Sequence, residues 1–216
     1  MVCVTTREPL QTEATRRNKL TVYKSKQVLL LSNQTGKSQM QNVTIIATSL
    51  NPKSKSQILA RQMESHLVSD GVHCQLFDLR ELNIGMSGPN ENWGNADIAK
   101  IAESVKQASH VVFAVPIYCY DVNSAAKNII ELTGRSFTNK VISFLCAAGG
   151  TNSYMSVMSF ANHLMLDFRS IIVPRFLYTQ DSDWSEEGIL NESIQERFEL
   201  LIGDMRMIQV DTSHTE

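Results

Sequence analysis

From Val43 onward the chain alternates between two patterns of apolar and polar positions. Short runs dominated by apolar residues fall at 43–48, 72–77, 110–115, 140–146 and 171–173. The longer stretches between them carry apolar residues three and four apart, as in Ile58, Leu59, Met63 and Leu67. A run that is apolar at almost every position suits a strand covered on both faces. The 3.6-residue spacing suits an amphipathic helix. The pattern therefore predicts five strands and five helices, the helices at 56–69, 97–108, 123–133, 152–168 and 192–207. Gly71 and Gly134 are expected to close the first and third helices, and Pro116 to stop the third strand. Residues 85–94, with Pro89, Asn90 and Asn92, read as a loop. Strands that alternate with helices run parallel, joined by right-handed crossovers. The predicted fold is α/β: a three-layer α/β/α sandwich around a five-stranded parallel sheet of order 2-1-3-4-5.

Residues 1–40 break this pattern. They are rich in Thr, Ser, Gln and basic residues, without sustained periodicity, and read as a disordered extension ahead of one domain at 41–210. Three readings compete: an organelle-targeting segment, basic and rich in hydroxyls; a solvated tail; or a translation start at Met40, which is favoured. Gly36-Lys37-Ser38 looks like the end of a phosphate-binding P-loop. The earlier glycine that such a loop requires is replaced by Leu31, and no strand-to-helix context surrounds it.

Composition narrows the function classes. The net charge is −2, with the basic excess confined to residues 1–40, so the body is acidic and nucleic acid is not expected as the main partner. No apolar run approaches bilayer length, so no membrane span is expected. Cys3, Cys74, Cys119 and Cys146 lie far apart, which argues against a zinc site or a disulfide framework. A reducing compartment, the cytoplasm, fits best; an organelle is the alternative if residues 1–40 are a transit segment.

In open parallel sheets ligands bind beyond the carboxyl ends of the strands, where strand order reverses. With order 2-1-3-4-5 that point lies between strands one and three. Three loops there have unusual composition. The first, Thr48-Ser49-Leu50-Asn51-Pro52-Lys53-Ser54-Lys55-Ser56-Gln57, joins a strand to a helix amino end, where unpaired N–H groups and the helix dipole attract phosphate. Its serines add hydroxyls, and Lys53 or Lys55 adds charge; the same serines could instead serve as helix caps. The second, Pro116-Ile117-Tyr118-Cys119-Tyr120-Asp121-Val122-Asn123, offers aromatic surface for a planar ligand. The third, Ala147-Ala148-Gly149-Gly150-Thr151, lets backbone approach a flat ring. No Gly-x-Gly-x-x-Gly or Gly-x-Ser-x-Gly motif is present. His163 and Asp167 stand one helical turn apart, but His163 reads as structural rather than catalytic.

At these loops the chain resembles the NADPH-dependent FMN reductase family, whose members have a flavodoxin-like fold. The family's Gly-Ser-Leu-Arg-x-x-Ser-x-Asn is matched by Thr48-Ser49-Leu50-Asn51-Pro52-Lys53-Ser54-Lys55-Ser56. Its Pro-x-Tyr-Asn and Leu-Lys-Asn are matched by Pro116-Ile117-Tyr118-Cys119 and Ala126-Lys127-Asn128, and its Gly-Gly and Ile-Val-Pro by Gly149-Gly150 and Ile172-Val173-Pro174. The resemblance implies an FMN-dependent NAD(P)H oxidoreductase that reduces flavins, quinones or similar small acceptors by ping-pong hydride transfer, with NADPH or NADH as reductant. It implies a homodimer or homotetramer. Ser49, Ser54 and Ser56 would hold the FMN phosphate, with Asn51, Lys55 and Gln57 in the same loop. Pro116, Ile117, Tyr118 and Cys119 would border the ribityl chain and ring, and Ala148, Gly149 and Gly150 the pyrimidine side. No catalytic acid, base or metal is implied. Lys127 and Asn128 are expected to organise the loop and helix, and Cys119 to pack. Thr48, Asn51, Ser56 and Cys119 depart from the family's Gly, Arg, Asn and Asn. Two alternatives stay open: a flavodoxin-type electron carrier, and a flavin-free binding protein of the same fold.

Overall fold

A computed structural model describes residues 40–208 and 210 of the chain; the extension predicted at 1–40 lies outside the described residues, apart from Met40. Parallel strands β1 (Asn42–Ala47), β2 (His73–Asp78), β3 (His110–Tyr118), β5 (Val141–Ala147) and β6 (Ile171–Ile172) lie in the order β2-β1-β3-β5-β6. The two-residue β4 (Asp121–Val122) pairs antiparallel with β3, and β7 (Leu177–Thr179) extends the β6 edge along β5. Helices α1 (Lys55–Ser69), α2 (Ala96–Gln107), α3 (Ser124–Thr133), α4 (Val157–Phe168) and α5 (Glu192–Met207) alternate with the strands.

Helix placement follows from crossover handedness. The chain moves one way from β1 to β2 and then reverses to β3, so right-handed connections put α1 on one face and α2, α3 and α4 on the other. Strand residues alternate between the two cores accordingly. Ile45, Val112 and Leu145 meet Leu59 and Met63 of α1 and Phe198 and Leu201 of α5. Ile46, Phe113 and Phe144 meet Ile101, Ile129 and Phe160 on the opposite face. Both faces are covered, which is why β3 and β5 are apolar at nearly every position.

Three expectations need correction. Pro116 does not stop the third strand, which runs on to Tyr118. The Ala114 carbonyl faces β1, where it accepts from the Thr48 N–H at 3.0 Å, so by two-residue alternation Pro116 faces the same side. There β1 has already ended, and the missing proline N–H forfeits no ladder bond. The fifth strand is split: β6 pairs Ile172 with Ile142 and β7 pairs Leu177 with Leu145. Five residues of chain there span three of β5, and the excess bulges out around Pro174. Finally, the helix expected from residue 152 begins at Val157, after a 3-10 turn at Thr151–Ser156. Gly71 and Gly134 close their helices as expected, both at positive φ.

Candidate cofactor site at the carboxyl edge of the sheet

The three predicted loops meet at one edge. In the first, Ser54 caps α1: its Oγ accepts from the Gln57 N–H at 3.2 Å and lies 2.9 Å from the Ser56 Oγ. Ser49 Oγ accepts from the Asn51 N–H at 3.3 Å, and Asn51 Oδ1 from the Lys53 N–H at 2.9 Å. Ser49, Ser54 and Ser56 are buried. The caps thus shape the loop, and the N–H groups of Ser54, Lys55 and Ser56 have no partner among the described residues. That is the phosphate-attracting end of a helix. Lys55 turns aside to Asp181 at 2.9 Å, and Gln57 is buried with both amide atoms unpartnered.

The loop is braced by a residue that sequence reasoning missed. Arg80, in the turn after β2, donates from Nη1 to the carbonyls of Asn51 and Pro52 at 3.4 and 3.3 Å. Its Nε and Nη2 grip Asp78. Burial pushes the Asp78 carboxyl up, but the Arg80 bonds and charge, with the charge of Arg61, outweigh it and hold the group below its ordinary value. A guanidinium therefore stands beside this loop, although Asn51 replaces the family's arginine. Nothing in the local sequence marks Arg80, because the contact spans about thirty positions.

The second loop is a hairpin between β3 and β4. Cys119 and Tyr120 occupy its two central positions with φ of 51° and 61°, the left-handed geometry of a type I′ turn. Cys119 is exposed at the tip, which corrects the expectation that it packs: a thiol at the apex of a two-residue turn has no core to enter. Tyr118 and Tyr120 are exposed beside it, while Pro116 and Ile117 are buried. Asp121 Oδ1 accepts from the Ser159 Oγ at 2.6 Å, tying the hairpin to α4.

In the third loop the Ala148 N–H donates to the Thr179 carbonyl at 2.8 Å. The Tyr178 hydroxyl donates to the Gly150 carbonyl and lies 2.7 Å from Ser153 Oγ. Gly149 and Gly150 are exposed, and a Cβ built on either meets no protein atom within 4 Å. Neither has positive φ, so neither turn geometry nor packing requires a glycine there; the bare backbone leaves room for something outside the chain.

Two hollows flank the hairpin. One of about 400 Å³ lies between Cys119 and Tyr120 and the third loop. The other, about 510 Å³, lies between Leu50 and Asn51 of the first loop and Tyr118 to Ser124. Two expected supporting residues behave as predicted: Asn128 holds the Ser87 N–H and the Gly85 carbonyl, and Lys127 pairs with Glu131 at 2.5 Å. His163 and Asp167 lie exposed on α4, so the structural role read for His163 does not hold. Among the described residues no cluster of His, Cys, Asp and Glu is arranged to hold a metal.

An open phosphate-attracting helix end, an exposed aromatic hairpin and an unobstructed glycine loop at the strand-order reversal define a nucleotide-binding protein of the flavodoxin-like class. The chain belongs to the NADPH-dependent FMN reductase family, which it matches over residues 41–184. It is 24% identical over 149 residues to an NAD(P)H-dependent FAD/FMN reductase of Geobacillus thermodenitrificans, covering 67% of this chain and 80% of that one. Among solved structures it is similar to the apo form of an NADH:FMN oxidoreductase (TM-score 0.69, 14% identity, 80% of this chain and 92% of that chain). It is also similar to an NAD(P)H:(acceptor) oxidoreductase of Paracoccus denitrificans (TM-score 0.61, 13% identity, 79% of this chain and 100% of that chain).

Proposed function

We propose that this protein is an FMN-dependent oxidoreductase that takes reducing equivalents from NADPH or NADH and delivers them to a small acceptor such as a free flavin or a quinone. The observation that carries the reading is the open first turn of α1. Three unpaired N–H groups stand over a loop that its own caps and Arg80 hold in shape.

The residues present fit FMN. Ser49, Asn51, Ser54, Lys55, Ser56 and Gln57 form the phosphate end, chiefly through backbone donors, since the serine hydroxyls already bond within the loop. Pro116, Ile117, Tyr118 and Cys119 border the ribityl chain and ring, and Ala148, Gly149 and Gly150 supply backbone to the ring's polar edge. Bound flavin supplies the redox chemistry. The chain's own work is to position it, to keep the outer face open and to present N–H groups where negative charge develops. Tyr118 and Tyr120 offer that outer face a broad apolar surface for a nicotinamide or an acceptor in turn. No side chain is required as an acid or base.

A homodimer in the cytoplasm is the assembly we favour. Its support is an open groove between α3 and α4, lined by Lys127, Leu166 and Trp93, the last 49% exposed. No helix among the described residues is long and apolar enough to cross a membrane.

The test is an absorbance spectrum of the purified protein incubated with FMN, before and after NADPH under nitrogen. Flavin bands that bleach promptly support the reductase. Bands that persist indicate a carrier, and failure to retain FMN overturns the cofactor assignment.

A further inference from the structure

We propose that a hollow on the outer side of the α1 amino end binds the phosphorylated adenosine group of a dinucleotide. The inference rests on the flavin reading and extends it by naming which nucleotides the site distinguishes. The hollow measures about 450 Å³, within the range of roughly 300–1,000 Å³ usual for small-molecule sites. It lies between α1, the turn that carries Arg80 and the loop that follows β7.

Its charge favours an anion. Lys53, Lys55, Arg61 and Arg80 line it, against the single acid Glu186. Lys55 is committed to Asp181 and Arg80 to Asp78. Arg61 stands 4.0 Å from Asp78 with more than half of its side chain exposed, and Lys53 makes no ion pair among the described residues. Two cations are thus available without breaking a close pair.

A second observation points to more than a simple anion. Gln57 lines the hollow, is 5% exposed, and has no partner for either amide atom. Trp184 lines it too, with its indole N–H buried and unpartnered. Buried polar groups are nearly always hydrogen-bonded, and leaving one unmet is costly. One stands on α1 and the other on the loop after β7, so buried donors and an acceptor that the fold leaves unmet lie on two sides of the hollow. A glutamine amide carries the donor–acceptor pair that matches the exocyclic amine and N7 edge of adenine. Pro52, Ile58 and the Trp184 ring supply apolar surface for the base.

The hollow shares Ser54, Lys55 and Gln57 with the FMN-phosphate end, where the backbone N–H groups are the main donors and the Gln57 amide is left unpartnered. A phosphate held at the first turn of α1 therefore stands at its rim. Two sources carry this chemistry: the adenosine diphosphate half of FAD, and the 2′-phosphorylated adenosine of NADPH.

The test is calorimetric titration of the FMN-loaded protein with ADP, with 2′,5′-ADP and with inorganic phosphate, together with the affinities of FMN and FAD by fluorescence quenching. One or both nucleotides are expected to bind at least about tenfold more tightly than phosphate, and Arg61→Ala to weaken them about tenfold while FMN affinity stays within about twofold. Binding of 2′,5′-ADP in competition with NADPH identifies the reductant as the source. FAD binding tighter than FMN, with ADP competing against FAD alone, identifies the flavin dinucleotide. The inference is overturned if FMN binds but neither nucleotide does and FAD gains nothing over FMN, if phosphate binds as well as the nucleotides, or if Arg61→Ala changes nothing. Failure of FMN to bind defeats the flavin reading instead; the same nucleotide titration on the flavin-free protein then decides the hollow by the same criteria.

Discussion

Thr48 and Asn123 close on each other in a buried two-way hydrogen bond. Thr48 Oγ1 donates to Asn123 Oδ1 at 2.7 Å, and Asn123 Nδ2 donates to the Thr48 carbonyl at 2.7 Å. The pair links the end of β1, where the first loop starts, to the amino end of α3, where the hairpin returns. The departure from the family's glycine at position 48 is therefore a cross-link between two of the three site loops. Thr48→Gly leaves the Asn123 carbonyl oxygen buried without its donor, at a cost of about 1–3 kcal/mol. Urea unfolding should show that loss together with weaker FMN binding; an unchanged midpoint would mean that water replaces the hydroxyl.

The hairpin tip holds two non-glycine residues in left-handed geometry, each strained by about 1–2 kcal/mol. Asparagine tolerates that region far better than cysteine. Cys119→Asn, which restores the family's residue, should raise stability by up to about 1 kcal/mol and keep FMN affinity. Thermal unfolding with and without FMN checks both.

Gly149 and Gly150 allow a sharper separation of binding from folding. An added Cβ meets no protein atom within 4 Å at either position. Gly150→Ala should leave the unfolding midpoint unchanged and lower FMN affinity, by about tenfold if ring and backbone are in contact. Equal FMN affinity would place the ring elsewhere.

Arg80 props the first loop and neutralises Asp78, whose side chain is 3% exposed while that of Arg80 is 25% exposed. Arg80→Ala leaves a carboxylate buried without its partner and should cost about 1–3 kcal/mol, discounted from a fully buried pair because water reaches the arginine. FMN binding should weaken with it. Arg80→Lys should recover part of the stability but less of the binding, since an ammonium does not reproduce the planar grip on both Asp78 and the loop carbonyls.

At the opposite edge of the sheet, His110 Nε2 donates to the Met205 and Ile208 carbonyls at 3.0 Å each. Burial pushes its pKa below the ordinary 6.5, against the opposing pull of those two carbonyls. The folded protein thus binds fewer protons than the unfolded chain just below pH 6.5, and stability falls as pH drops through that value. Asp78 also has a lowered pKa, but its contribution is lost only below its ordinary 3.8, so the two windows separate. Unfolding midpoints between pH 7.5 and 5 should decline in the native protein and flatten in His110→Asn.

The fold was legible in the sequence because its signals are local. Apolar runs, helical periodicity and capping residues such as Ser54 and Gly71 act within a few positions, and they placed the main elements to within a residue or two, save the end of β3, the start of α4 and the split fifth strand. The three site loops were legible for the same reason, since each is a contiguous stretch at a strand end. What stayed hidden depends on contacts between remote segments. Pro116 sits harmlessly inside β3 only because β1 stops two residues short of it. Cys119 is exposed only because β4 folds back on β3. Arg80, Asp121 and Tyr178 brace the first, second and third loops through bonds to Asn51, Ser159 and Gly150, partners from 28 to 38 positions away. Periodicity and composition carry no information about such pairings, because hydrogen bonds of this kind depend on where the packed sheet brings two groups, not on which residues lie beside them in the chain.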